Sequence, residues 1–127
     1  MQEYTTIVMK EIRGSKCVFS KLIKGNKCFF DEFEKEITKN NNFKKEFAQL
    51  ISKMEWHAEG KSLPKEKFRN IQVKQYPCIF WEFKTKHLRA YTVCKENGKV
   101  VVIGGTKNTQ EKDIERFKHI AKEYINK

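Results

Sequence analysis

Three apolar runs in the second half of the chain constrain its fold more than any other feature: Cys78–Lys84, Leu88–Lys95 and Lys99–Ile103. Each has the length and the aromatic or β-branched content of a strand, and only a few polar residues separate one from the next. Such short links predict a three-stranded antiparallel meander. Asn97-Gly98 supplies residues that tolerate positive φ in the second of its turns. The first run, Cys78-Ile79-Phe80-Trp81-Glu82-Phe83, is nearly continuous in apolar residues, as expected of a strand covered on both faces.

Upstream, Tyr4–Ile12 and Lys16–Ile23 read as strands around Arg13-Gly14-Ser15, with a turn at Lys24-Gly25-Asn26-Lys27. Phe30, Phe33 and Ile37 then recur at helical spacing, with Asp31, Glu32 and Glu34 in the first turn where they suit the helix dipole. The asparagines after Lys39 break this helix and offer an N-cap for a second one, whose apolar stripe is Phe43, Phe47, Leu50, Ile51 and Met54. Gly60 to Arg69 reads as a polar, basic loop in which Pro64 bars helix continuation. After the meander, Thr109 offers an N-cap for a last helix that turns Ile114, Phe117, Ala121, Tyr124 and Ile125 to the core. The order of elements predicts one α+β domain over residues 1–127, with 1–15 as an extra N-terminal strand.

A chain of 127 residues with ten Phe can build one core, and at 34% charged it is no low-complexity linker. No charged leader precedes an apolar run and no stretch reaches membrane-spanning length, so a soluble, cytoplasmic protein with no membrane partner is expected. The cysteines at 17, 28, 78 and 94 form no Cys-x-x-Cys pair and no zinc-finger spacing with His57, His87 or His119. Reduced thiols are expected, with disulfides in any of three pairings as the alternative, and neither metal nor cofactor is expected. Trp56, Trp81, His57 and His119 read as structural.

The net charge of +11 is concentrated: residues 61–99 carry net +7, against +2 in 1–60 and +2 in 100–127. Such a middle third points to a polyanion partner, with simple solvation of scattered lysines as the plain alternative. Phosphate loops, dinucleotide fingerprints, nucleophile elbows and zinc-protease motifs are absent. The basic region holds only Glu66, Glu82 and Glu96, which disfavours a two-metal nuclease. Metal-free RNA cleavage needs a base for the 2′-hydroxyl, cations for the phosphorane charge and an acid for the leaving 5′-oxygen, and a crowded basic groove can serve all three. Lys84, Lys86, His87, Arg89 and Tyr91 alternate over two neighbouring strands, so some of them share a face. Arg89 stands between Leu88 and Ala90, where a strand usually presents a small or apolar residue.

Trp81-Glu82-Phe83-Lys84 is followed by Leu88-Arg89-Ala90-Tyr91, then by Gly98-Lys99-Val100-Val101-Val102 and Lys107-Asn108-Thr109. This ordered series resembles the RelE/HigB superfamily of toxins, and the likeness spans roughly residues 16–126. The resemblance implies a RelE-like fold: two N-terminal helices packed on a twisted antiparallel sheet with a C-terminal helix. It implies a toxin of a type II toxin-antitoxin system, a metal-independent endoribonuclease that cleaves mRNA on the ribosome and is held by a cognate antitoxin. Arg89, Lys107 and Lys84 take the positions of its catalytic residues. Lys65, Lys67, Arg69, Lys86, His87 and Tyr91 are the expected RNA-binding set. The lysine pair of RelE-type members would fall near Phe80 and Glu82, and Asn108 stands where a second lysine is expected. The alternative readings are a non-cleaving relative, such as a ParE-like gyrase inhibitor, and a basic RNA-binding module.

Overall fold

The computed structural model describes residues 3–96 and 98–126. The chain opens with two strands, β1 (Tyr4–Val8) and β2 (Val18–Lys24), before helices α1 (Phe29–Ile37) and α2 (Asn41–Ala58). Strands β3 (Phe68–Asn70), β4 (Phe80–Lys84), β5 (Leu88–Lys95) and β6 (Gly98–Thr106) follow, then a short 3-10 turn at Lys107–Thr109 and helix α3 (Gln110–Ile125). The six strands form one sheet in the order β1-β2-β6-β5-β4-β3. Every neighbouring pair is antiparallel except β2 and β6, which run parallel.

This layout corrects the RelE-like expectation of two N-terminal helices on an antiparallel sheet. Two strands precede the helices, and the sheet is mixed because β2 lies parallel along the edge of β6. Burial explains the placement. Phe19 and Leu22 on β2 are both buried, one in the core under α1 and α2 and the other in the core under α3. A strand with apolar residues on both faces needs cover on both sides, and extending the main sheet provides it.

The helices divide between the two faces. Phe30, Phe47, Leu50 and Met54 of α1 and α2 pack on Phe83, Leu88 and Ala90. Phe117, Ile120 and Ala121 of α3 pack on Phe80, Tyr91, Val93 and Val100 on the opposite face. The asparagine cap is realised: the Asn40 side-chain oxygen accepts from the backbone N–H of Asn42 at 2.9 Å and of Phe43 at 3.3 Å. The meander also forms, although its turn residue Asn97 lies outside the described residues.

Two local expectations change. Part of the basic loop pairs with β4 as the short edge strand β3. Thr109 precedes α3 without capping its backbone, and its hydroxyl donates instead to the Asp113 carboxylate. Among the described residues, no helix is long and apolar enough to cross a membrane, and all four cysteines are free.

Candidate nucleic-acid interface

Register decides which side chains meet. Arg69 of β3 stands opposite Glu82 of β4, Glu82 opposite Tyr91 of β5, Lys84 opposite Arg89, and Arg89 opposite Gly105 of β6. Directly opposed residues share a face, and alternate residues along a strand do too. Arg69, Glu82, Lys84, Arg89, Tyr91 and Gly105 therefore occupy one patch, on the face that α3 covers.

Glu82 is the centre of this patch and is fully buried. Arg69 Nε donates to one carboxylate oxygen at 2.6 Å and Gln110 Nε2 to the other at 3.0 Å. Arg89 Nε lies 3.9 Å from Glu82, an ion pair too long to be a hydrogen bond. The Arg89 guanidinium instead spends Nη1 on the backbone carbonyls of Thr85 at 2.7 Å and Leu88 at 2.9 Å. Its Nε and the Tyr91 hydroxyl are buried without hydrogen-bond partners among the described residues. Orphaned polar atoms of this kind cost stability, and two side by side mark a region that packing alone does not explain.

The electrostatics favour a further negative charge. Three cations (Arg69, Lys84 and Arg89) share the patch with two carboxylates, the buried Glu82 and Asp113 beside Gly105, so positive charge is still in slight excess. Burial pushes the Lys84 pKa down, and the charges of Arg69 and Arg89 push it further, against the pull of Glu82. Burial, then the Glu82 charge, pushes the Tyr91 phenol up, so this tyrosine stays protonated. Tyr91 is wholly buried against Phe117 and cannot stack on a base from there.

Lys107 reaches the same end of the sheet. Its backbone N–H donates to the His87 carbonyl at 2.8 Å, which ties the exit of β6 to the entry of β5. Its side chain is exposed, and a hollow of about 520 Å³ lined by residues 107–112 opens beside Gln110. The adjacent glycines are explained by the protein's own side chains. A Cβ at Gly104 would lie 2.1 Å from Phe33, and one at Gly105 would lie 2.1 Å from the Asp113 carboxylate.

The remaining expected residues are dispersed. Lys65 and Lys86 are exposed in turns. Lys67 is half-buried, and its carbonyl accepts the Lys84 N–H at 2.8 Å. His87 points to the α2 face, where its Nδ1 sits 2.8 Å from Glu46 and its ring packs on Phe43. Glu46 also accepts from the backbone N–H of His87 at 2.5 Å, from that of Leu88 at 3.1 Å, and from the Thr85 hydroxyl. Burial would raise the Glu46 pKa, but the bonds from Thr85 and His87 outweigh it and lower the pKa overall.

Sequence reading passed over Glu82, Gln110, Glu46 and Lys99. Glu82 had a signal, being the single carboxylate inside the apolar run of β4. Lys99 is buried on the α2 face over the rings of Phe68 and Trp81, with Nζ 3.3 Å from Cys94 Sγ. Burial, aided by the Lys99 charge, drives the His57 pKa down to about 4.

The fold and the patch together define an α+β protein with a six-stranded mixed sheet, helices on both faces and a cationic shelf beside the start of α3. No family model, curated protein or solved structure matches the chain.

Proposed function

We propose that this protein binds RNA on the cationic shelf and cleaves it without a metal ion, acting as a translation-inhibiting toxin of the RelE/HigB kind. One observation carries the reading: Arg69, Lys84 and Arg89 gather around a single buried carboxylate on one face of the sheet, and the backbone of Lys107 is tied to that end of the sheet. Phosphate answers this excess of cations, and the held-down pKa of Lys84 suits it to proton transfer. In the proposed reaction Lys84 takes the 2′-hydroxyl proton and the 2′-oxygen attacks phosphorus. The 5′-oxygen leaves with a proton from Lys107, giving a 2′,3′-cyclic phosphate and a 5′-hydroxyl end. Arg69 and Arg89 face the charge that develops on phosphorus. The motif series beginning at Trp81-Glu82-Phe83-Lys84 supports the family; the order of strands and helices does not.

A second reading rests on Arg89, which is 6% exposed and bound to two backbone carbonyls. An arginine so engaged suits a shelf that grips RNA without cutting it. The test is induced expression of wild type beside Lys84→Ala and Lys107→Ala, followed by mapping of RNA 5′ ends and cleavage of purified RNA in EDTA. Both lysines have enough exposure for the variants to fold. Growth arrest with new 5′-hydroxyl ends, lost in both variants, is the expected result. Salt-sensitive RNA binding with no new ends moves the conclusion to the gripping module. Arrest with intact RNA and gyrase-linked DNA damage overturns both.

A further inference from the structure

The two edges of the sheet are finished differently. The β3 edge is three residues long and carries Arg69, the kind of short, charged edge that discourages pairing. The β1 edge, Tyr4-Thr5-Thr6-Ile7-Val8, has no charge, proline or bulge and is rich in β-branched residues. Large hydrophobic side chains are exposed at Ile7 (53%), Val8 (54%), Val18 (49%) and Trp56 among the described residues. Trp56 is engaged by Ser62 and Lys61, while the other three cluster on β1 and the start of β2. Ile7 lies on one face of the strand and Val8 on the other, so a helix covering one face leaves one of them exposed.

The backbone fixes what can be added. Glu3 accepts from Gly25 at 2.7 Å and Met9 donates to Phe19 at 2.9 Å, so the odd-numbered residues of this segment turn their peptide groups toward β2. Thr6 and Val8 consequently turn theirs outward. We propose that a second copy of this chain occupies the edge, the two β1 strands pairing antiparallel about a twofold axis at Thr6. In this register Thr6 meets Thr6 of the second copy, Tyr4 meets Val8, and Thr5 meets Ile7, so Ile7 and Val8 are each opposed by a residue of the same strand in the other chain. The charges fit as well: Glu3 of one copy falls opposite Met9 of the other, one residue from Lys10, and nothing charged lies between the two ends. Two chains of net charge +11 thus meet at an uncharged strand with complementary charges at both ends. The sheet becomes continuous through both copies, with the cationic shelves at its far ends.

The experiment is sedimentation equilibrium of the full chain across concentration, with Thr6→Pro and Val8→Lys alongside. Thr6→Pro removes an outward N–H and keeps the bonds to β2; Val8→Lys buries a charge in the interface. Wild type at twice the 15.2 kDa chain mass, with both variants shifted to the monomer, is the expected result. As a check independent of folding, Thr6→Cys in a Cys78→Ser background cross-links to a dimer on mild oxidation, while Thr5→Cys and the parent do not. The proposal is overturned by a wild-type monomer at every concentration, or by a dimer that both variants leave intact. It is equally overturned if Thr5→Cys cross-links as readily as Thr6→Cys.

Discussion

Glu46 and Glu82 are both carboxylates taken out of water beside the β4–β5 hairpin, one on the α2 face and one on the α3 face. The donors around Glu46 are two backbone N–H groups, a hydroxyl and an imidazole. Four donors converge on the carboxylate, three on Oε2 and one on Oε1, and the result is a clamp on the turn that carries Lys86 and His87. The partners of Glu82 are two guanidiniums and an amide, and beside it Arg89 Nε and the Tyr91 hydroxyl make no hydrogen bond among the described residues. One network is complete and so fixes geometry. The other is over-supplied with positive charge and donors, which is the condition for recruiting an anion.

The comparison breaks most visibly at Glu82. Glu82→Gln keeps the shape and strands two arginines, so unfolding in urea should show a loss of about 3–5 kcal/mol. The same variant should bind RNA more tightly at low salt, because the internal anion no longer competes with phosphate. A loss under about 1 kcal/mol means that water already shields the pair and the contrast with Glu46 fails.

Glu46→Ala comes next, at about 2–3 kcal/mol, because it leaves buried N–H groups of the hairpin turn without acceptors. The Glu46 pKa is lowered in the folded state, so its contribution is full above the ordinary carboxylate value of 4.5 and fades as pH falls through the lower folded value. Stability curves of wild type and Glu46→Ala should therefore approach one another as pH falls below 4.5. Parallel curves down to pH 3 would falsify the clamp.

His57 gives a smaller effect of a third kind, since its neighbours among the described residues are aromatic rings and the Lys99 cation, none of which offsets its burial. Its folded pKa is about 4 against an ordinary 6.5, so between those values the unfolded chain binds a proton that the folded one refuses. Stability should fall as pH drops through that window, by about 1–2 kcal/mol after allowance for the solvent the ring retains. His57→Phe should flatten this slope in chemical denaturation from pH 7 to 4. An unchanged slope removes His57 from the account.

The sequence made the helices and the meander legible because their signals are local: apolar spacing in α1, α2 and α3, an asparagine before α2, short links between β4, β5 and β6. The β5–β6 hairpin likewise brings Arg89 and Lys107 to one end of the sheet. The parallel β2–β6 contact was hidden because it joins segments about eighty residues apart with no turn between them. Gln110 was hidden for a related reason, as an amide in the first turn of a helix looks like solvent-facing filler until the helix docks over Glu82. His87 misled because alternation was extended through Thr85–His87, a turn that Glu46 holds to the opposite face.

Lys84 is the side chain on which the two networks can be separated with the least disturbance to folding. It neighbours Glu82 and the arginines, yet it makes no hydrogen bond or ion pair among the described residues, so Lys84→Ala should change stability by less than about 0.5 kcal/mol. If Lys84 meets a phosphate, its loss should weaken RNA binding about three- to tenfold across sequences and reduce the salt slope by about one. If it also moves a proton, cleavage should fall much further than binding, and the alkaline rise of the cleavage rate should disappear with it, because the neutral amine is the active form. Lys84→Arg distinguishes the two roles: it restores the charge and the salt slope but not a proton-accepting amine. Binding regained without cleavage assigns Lys84 to chemistry. Binding and cleavage regained together assign it to phosphate contact alone.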